Sequence, residues 1–155
     1  MGLEIRCTFR ARRSANRLYT NVVDRASFEM RFEATPEDID PLGHVSNISY
    51  VRWIQDVAVA HSAAVGLDFD AYRKMGGIFV VRRHEIDYLR PVLRGDGVEV
   101  CTWVGSVMAA KCVRHTELRK GQVLVSKAET VWGFVDVTTG RPTRIPKEVK
   151  AAFGV

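Results

Sequence analysis

The pattern of apolar and polar residues predicts one strand, then one long helix, then four further strands. Phe28, Met30 and Phe32 alternate with charged residues, as in a strand with one buried face. From Asn47 onward the apolar residues recur at helical spacing, and Gly66 provides a stop. The second half of this helix is apolar on nearly every side, so we expect other structure to enclose it.

The rest of the chain has the pattern of strands joined by short turns. The predicted strands cover 78–89, 98–107, 111–119 and 122–137, and Asp68 is the predicted cap of a shorter helix before them. Short hairpin connections make most of such a sheet antiparallel. We therefore expect an α+β fold in which five to six strands wrap around one long central helix, since this buries the helix.

The length of 155 residues, 46% of them hydrophobic, fits one domain. The net charge of +5 raises the possibility of a nucleic-acid partner. Residues 1–25 alone carry six arginines and two acidic residues, a net +4, which leaves only +1 for residues 26–155. By count the body of the protein therefore has no basic face, and we expect no nucleic-acid partner for it.

The basic N-terminal extension, residues 1–25, has no apolar run of the length that a signal peptide needs. We interpret it as a disordered tail or a start codon placed too far upstream, because Glu4 and Asp24 are unusual in a transit peptide. Residues 26–150 form the predicted domain and 151–155 a C-terminal tail.

No stretch is apolar enough to span a membrane, and three cysteines without a C-x-x-C spacing predict no disulfide. We expect a cytoplasmic protein.

The segment from Asp38 to Tyr50, DIDPLGHVSNISY, is the most specific motif in the chain. It resembles the D-x-D-x-x-G-H-V-N-N-x-x-Y signature of the hotdog-fold thioesterases, of the 4-hydroxybenzoyl-CoA thioesterase and acyl-CoA thioesterase type. Segments 87–96 and 136–146 also resemble that family, so the resemblance covers roughly residues 26–150. It implies the hotdog fold and an acyl-CoA thioesterase that forms free acid and CoA.

Two positions depart from the family pattern. Ser46 stands where the family usually has an asparagine, which changes the hydrogen bonds available to the loop. Gln55 stands on the helix where many relatives carry a glutamate, so a mechanism using that carboxylate would need Asp56 instead.

The resemblance assigns the chemistry to residues at the start of the long helix. Asp40 is the expected catalytic carboxylate, either as nucleophile or as general base, and its alternative role is to order a Pro-flanked turn. The backbone N–H of Asn47 is the expected oxyanion donor, with helix capping as the alternative role of its side chain. His44 could bond the carbonyl, position water or assist the leaving thiol.

Tyr50 is expected to border the acyl pocket or to pack the helix. Four arginines at strand and turn positions are candidates for binding the CoA phosphates: Arg82, Arg83, Arg90 and Arg114. The family works as homodimers or homotetramers with shared sites, so these cations are expected to act across an interface. The scattered histidines predict no metal site, and no cofactor is expected beyond the CoA of the substrate.

Two other functions remain open at this stage. One is a hotdog enoyl-CoA hydratase or dehydratase, which would turn over an enoyl-CoA without releasing thiol. The other is a non-catalytic acyl-CoA or acyl-carrier binding protein, with the basic tail contacting nucleic acid. The acyl group, aromatic or aliphatic, is not determined by the sequence.

Overall fold

A computed structural model describes residues 27–155, and the extension predicted at 1–25 lies outside the described residues. The helices and strands follow in this order: β1 (Ser27–Glu33), α1 (Asn47–Ala64), α2 (Phe69–Lys74), β2 (Gly77–Tyr88), β3 (Gly97–Val107), β4 (Lys111–Lys120), β5 (Val123–Asp136) and α3 (Lys147–Ala152). The predicted strand, long helix and four strands are all confirmed, each boundary lying within about two residues of its prediction.

All described strands belong to one antiparallel sheet of five, in the order β1-β3-β4-β5-β2. The prediction allowed five or six strands, and residues 27–155 form five. Register shifts between Val81 and Arg83 in β2, and between Val104 and Ser106 in β3, bend these strands. β1 and β2 lie at opposite edges of this sheet, and the chain passes from one edge to the other through α1.

One face of the sheet packs against α1. Val98 and Val100 of β3 are fully buried there, and the helix supplies Trp53, Ile54 and Val57 to the same core. The alternation of buried and half-exposed residues along β3 and β4 shows that the opposite face is the wetter one. This packing fixes the direction of α1, and with it the position of the loop that precedes the helix.

The sheet packs on α1 as expected, but residues 27–155 do not enclose the helix on every side. Ile48 is 81% exposed and Val59 is 64% exposed, so one side of the helix is uncovered by residues 27–155. Sequence periodicity identifies apolar faces but does not say whether the same chain covers them. No helix in the described part of the chain is long and apolar enough to cross a bilayer.

The prediction of a C-terminal tail at 151–155, outside the domain, is also wrong. Helix α3 extends to Ala152, and both Val149 and Phe153 are buried in a second core cluster with Tyr72 and Phe134. The domain therefore continues past residue 150, because Phe153 is part of its core.

Candidate active site

The loop between β1 and α1 folds as a small hairpin. Ile39 and Val45 form an antiparallel bridge, and inside it the Asp40 N–H donates to the His44 carbonyl over 2.8 Å. The Gly43 N–H donates to the Asp40 carbonyl at 2.9 Å. Gly43 has a φ of 83°, which glycine adopts more easily than any other residue. Asp40 and His44 are therefore paired across a tight turn.

Asp40 orders this turn with only one of its two carboxylate oxygens. Its Oδ1 accepts the Leu42 N–H at 2.8 Å and the His44 N–H at 3.3 Å. Its Oδ2 has no hydrogen-bond partner among residues 27–155, and the side chain is half-buried. The turn-ordering role is thus observed, and it leaves a fixed oxygen available for chemistry.

A groove of about 350 Å³ brings five of the predicted site residues together. One wall is the hairpin loop and the start of α1, and the other is the segment after β2. The two walls are tied by the Val45 N–H, which donates to the Val92 carbonyl at 2.8 Å. The predicted residues that line this groove are Asp40, His44, Asn47, Tyr50 and Arg90.

The start of α1 supplies hydrogen-bond donors to the groove. The cap is Ser46, whose side-chain oxygen accepts the Ser49 N–H at 3.3 Å, so the predicted capping role of the Asn47 side chain is wrong. Asn47 is the first helical residue, and its backbone N–H has no hydrogen-bond partner among the described residues. At this position an N–H cannot bond within the helix and carries the positive end of the helix dipole.

Two tyrosines form the apolar floor of the groove. Tyr50 is 3% exposed, and its ring meets that of Tyr88 edge to face at a centroid distance of 5.1 Å. Burial raises the pKa of Tyr50 to about 12, so its hydroxyl remains a donor at neutral pH. Tyr50 therefore both packs the helix and borders the groove. The sequence did not single out Tyr88, although it precedes the Arg90-Pro91 turn that the resemblance covers.

Asp38, the other acid of the motif, is a structural residue that sequence reasoning did not single out. It is 2% exposed and accepts hydrogen bonds from the Thr35 N–H and hydroxyl at 2.9 and 2.8 Å. Arg52 of α1 forms an ion pair with it. Burial works to raise the pKa of Asp38, but the hydrogen bonds from Thr35 and Ser49 and the Arg52 charge outweigh burial and lower the pKa. Asp38 thereby anchors the loop to the helix.

Three of the predicted arginines lie outside the groove. Arg83 is exposed and pairs with Glu85, and the stem of Arg82 lies over Gly133. From Arg83 to Tyr88 the strand extends about 17 Å, too far for either arginine to reach the groove of its own chain. Arg114, also a candidate for binding the CoA phosphates, is only 5% exposed on the inner face of the sheet and does not line the groove.

The sequence left open whether Asp56 replaces the helix glutamate that many relatives carry at Gln55. Gln55 and Asp56 are both exposed on α1, and neither lines the groove. Within residues 27–155, no cluster of three His, Cys, Asp or Glu side chains is close enough to hold a metal ion.

The groove thus combines a fixed carboxylate oxygen of Asp40 with the backbone N–H of Asn47, which has no partner among the described residues. The carboxylate can attack an electrophilic carbon or deprotonate water, and the N–H can stabilise a developing oxyanion. Arg90 is exposed at the rim, and its guanidinium makes one hydrogen bond within residues 27–155, to the Leu89 carbonyl at 3.0 Å, which leaves other N–H groups for an anion.

Comparison with known proteins identifies the family to which this chain belongs. A family model described as the Thioesterase-like superfamily matches residues 34–153. The acyl-CoA thioesterase YbgC of Haemophilus influenzae is 36% identical over 118 residues, which cover 76% of this chain and 87% of that protein.

Longer relatives and solved structures extend the comparison. A chloroplastic acyl-(acyl-carrier-protein) hydrolase of Cuphea viscosissima is 27% identical over 138 residues, which are 83% of this chain but 33% of that protein. The chain thus spans about a third of the length of that plant relative. A Staphylococcus aureus protein solved in complex with CoA has a TM-score of 0.78 at 18% identity, covering 87% of this chain and 86% of that one. The chain belongs to the thioesterase-like superfamily, and its antiparallel sheet packed on α1 is the hotdog fold.

Proposed function

We propose that this protein is an acyl-CoA thioesterase. The observation that carries the proposal is the shared groove, in which the free Oδ2 of Asp40 and the unpaired N–H of Asn47 belong to one surface. An acyl-CoA and water give a carboxylic acid and CoA thiol, with the C–S bond broken and the thiol taking up a proton. The family's relatives named as acyl-CoA thioesterase and acyl-carrier-protein hydrolase support the same reaction class.

The two groups divide the chemistry between them. Asp40 either attacks the thioester carbon or removes a proton from the attacking water. The Asn47 N–H faces the oxygen on which negative charge develops, and one such donor is typically worth about 100- to 1000-fold in rate. His44, exposed at the same turn, can protonate the leaving thiolate. No metal or redox cofactor enters this proposal, so hydrolysis should persist in EDTA.

CoA is the proposed carrier because the groove rim is suited to an anionic ligand. Arg90 lines the rim and has unused guanidinium donors that match phosphate oxygens. The structural neighbour solved with CoA bound supports this choice. The three cysteines without a C-x-x-C spacing support a reducing, cytoplasmic location.

A substrate panel tests the reaction. Thiol release should be measured with the full chain on short, medium and long acyl-CoAs and on aryl-CoAs, with and without EDTA. We expect release of CoA from at least one class, unaffected by EDTA. Hydration of an enoyl-CoA without thiol release would instead identify a hydratase. Tight acyl-CoA binding with no turnover would identify a binding protein.

We further propose that the protein works as a homodimer or homotetramer with sites shared between subunits. Two features of the described chain support this. The uncovered side of α1 exposes Ile48 and Val59, and the outer edge of β2 has no strand partner within residues 27–155. Arg82 and Arg83 lie on that edge strand, out of reach of their own groove, and in this proposal they bind the CoA phosphates of a partner's site.

A further inference from the structure

A second cavity lies at the far end of α1 and is separate from the catalytic groove. It has a volume of about 200 Å³, is lined by the last turns of α1, by α2 and α3 and by the inner face of the sheet, and opens to the surface beside Val59 and Phe69. No residue lines both this cavity and the groove of Asp40. Most of its wall is apolar, including Phe79, Val104, Trp132 and Phe153. We refer to it as the α3 cavity.

Arg114 is a charged group in the wall of this apolar cavity. Its side chain is 5% exposed, and burial lowers the pKa of the guanidinium to about 10, so it stays charged at neutral pH. No carboxylate of residues 27–155 lies within ion-pair distance of it. A buried charge without a counter-ion is strongly unfavourable, so an anion at this place would be stabilising.

The hydrogen bonds of Arg114 leave part of the guanidinium unused. Its Nη1 donates to His61 Nδ1 at 3.0 Å and to the Thr102 hydroxyl at 3.3 Å. Burial, with the Arg114 charge beside it, lowers the pKa of His61 to about 4, so His61 is a neutral acceptor. Nε and Nη2 of Arg114 have no hydrogen-bond partner among the described residues.

The other polar groups of the cavity do not supply the missing anion. The Asp68 carboxylate lines the wall but caps α2 by accepting the Ala71 N–H at 2.8 Å. The Tyr72 and Ser62 hydroxyls bond to each other at 3.3 Å. Burial raises the pKa of the Cys112 thiol to about 11, which keeps it neutral. The indole N–H of Trp132 is buried with no acceptor in residues 27–155, and Lys150 adds a further cation.

We propose that the α3 cavity binds a small apolar monocarboxylate, with its carboxylate on Nε and Nη2 of Arg114 and its hydrocarbon among the apolar wall residues. A carboxylate matches the guanidinium through two parallel hydrogen bonds. The phosphates of CoA do not fit this site, because an apolar wall would bury their multiple charges. The acid released by the proposed hydrolysis belongs to the same ligand class, but binding at Arg114 does not depend on that reaction.

Calorimetric titration of the full chain with octanoate, and with octanamide as the neutral analogue, tests the proposal. We expect one octanoate per chain, bound at least about tenfold more tightly than octanamide, because a charge-assisted hydrogen bond is roughly twice as strong as a neutral one. Arg114→Met should lose this preference. Arg94→Gln, an exposed arginine that lines neither the cavity nor the groove, should bind octanoate as the wild type does.

Two further variants keep the test decisive. Val107→Trp fills the cavity while keeping Arg114, and it should weaken octanoate binding even if Arg114→Met fails to fold. Asp40→Asn should bind octanoate normally, which separates this site from the catalytic groove. Equal affinity for octanoate and octanamide, unchanged binding to Val107→Trp, or loss of binding in Asp40→Asn would each overturn the proposal.

Discussion

At the scale of single residues, the carboxylates of Asp38 and Asp40 lie on one loop but in opposite environments. Asp38 is buried and its oxygens accept from Thr35 and Arg52, whereas Asp40 keeps Oδ2 unpartnered among the described residues at the edge of a groove. The sequence placed both in one motif and identified Asp40 through the family resemblance. It did not distinguish their environments, because burial and partners depend on where Arg52 and Thr35 fold.

The lowered pKa of Asp38 predicts an acid-sensitive contribution to stability. The stabilisation is present above the unfolded-state pKa of about 3.9 and is lost as the pH falls through the lower folded-state value. Asp38→Asn should therefore lower the free energy of unfolding by about 1–3 kcal/mol at pH 7 and show a smaller deficit below about pH 4. Urea unfolding at several pH values measures this, with the exposed Glu37→Gln as the control. A deficit that stays constant with pH would refute it.

At the scale of elements, α1 runs from the groove that Asp40 lines to the α3 cavity. Its start is capped by Ser46, and its last turns bring His61 against Arg114. Periodicity predicted this helix and the strands because each has a long apolar pattern. It missed α3, whose six residues are too few for a periodic signal. Nor did it indicate that Arg114 is buried, because the inward positions of β4 include polar residues, which an apolar pattern does not identify.

The cap at Ser46 gives a prediction for the start of α1. Ser46→Ala should destabilise the fold by about 1 kcal/mol and reduce kcat, because the cap holds the first helical turn and the Asn47 N–H in place. Ser46→Asn, which introduces another good cap, should restore both stability and rate. Thermal unfolding and thiol-release kinetics on the same samples check this. Wild-type kcat in Ser46→Ala would show that the cap does not position the donor.

The buried His61 gives a prediction for the last turns of α1. Its pKa is lowered to about 4 by burial and by Arg114, so protons bind the unfolded chain more readily between about pH 6.5 and pH 4. Over this window the wild type should lose roughly 2 kcal/mol of stability that His61→Gln does not lose. The window lies above that of Asp38, so the two effects are separable. Parallel unfolding curves for both proteins from pH 7 to pH 4 would contradict the account.

At the scale of the whole molecule, residues 27–155 form the fold and the groove but leave apolar and edge surfaces uncovered. A single sequence could not show this, since the apolar pattern of α1 is the same whether its own chain or another chain covers it. In the proposed oligomer a partner subunit covers these surfaces. It also gives a role to Arg82 and Arg83, which lie about 17 Å along β2 from the groove of their own chain and would bind the ligand in a partner's groove.

Subunit mixing tests this shared arrangement. Asp40→Asn should be inactive, and the double variant Arg82→Ala and Arg83→Ala should have a raised KM for acyl-CoA. When the two are unfolded and refolded together, a dimer with shared sites regains about a quarter of the wild-type kcat/KM, because half of the dimers carry one complete site. Activity equal to the average of the two parents would mean that each site lies within one chain.

The central claim, that Asp40 performs thioester hydrolysis, is tested most directly by one measurement. This is the single-turnover rate of thiol release by Asp40→Asn on the best acyl-CoA of the panel. Asparagine keeps an oxygen for the Leu42 N–H, so the turn and the urea midpoint should be preserved. Asp70→Asn, an exposed carboxylate of α2 outside the groove, is the matched control. We expect a loss of about 100-fold or more in Asp40→Asn only, and a wild-type rate in that variant would contradict the account.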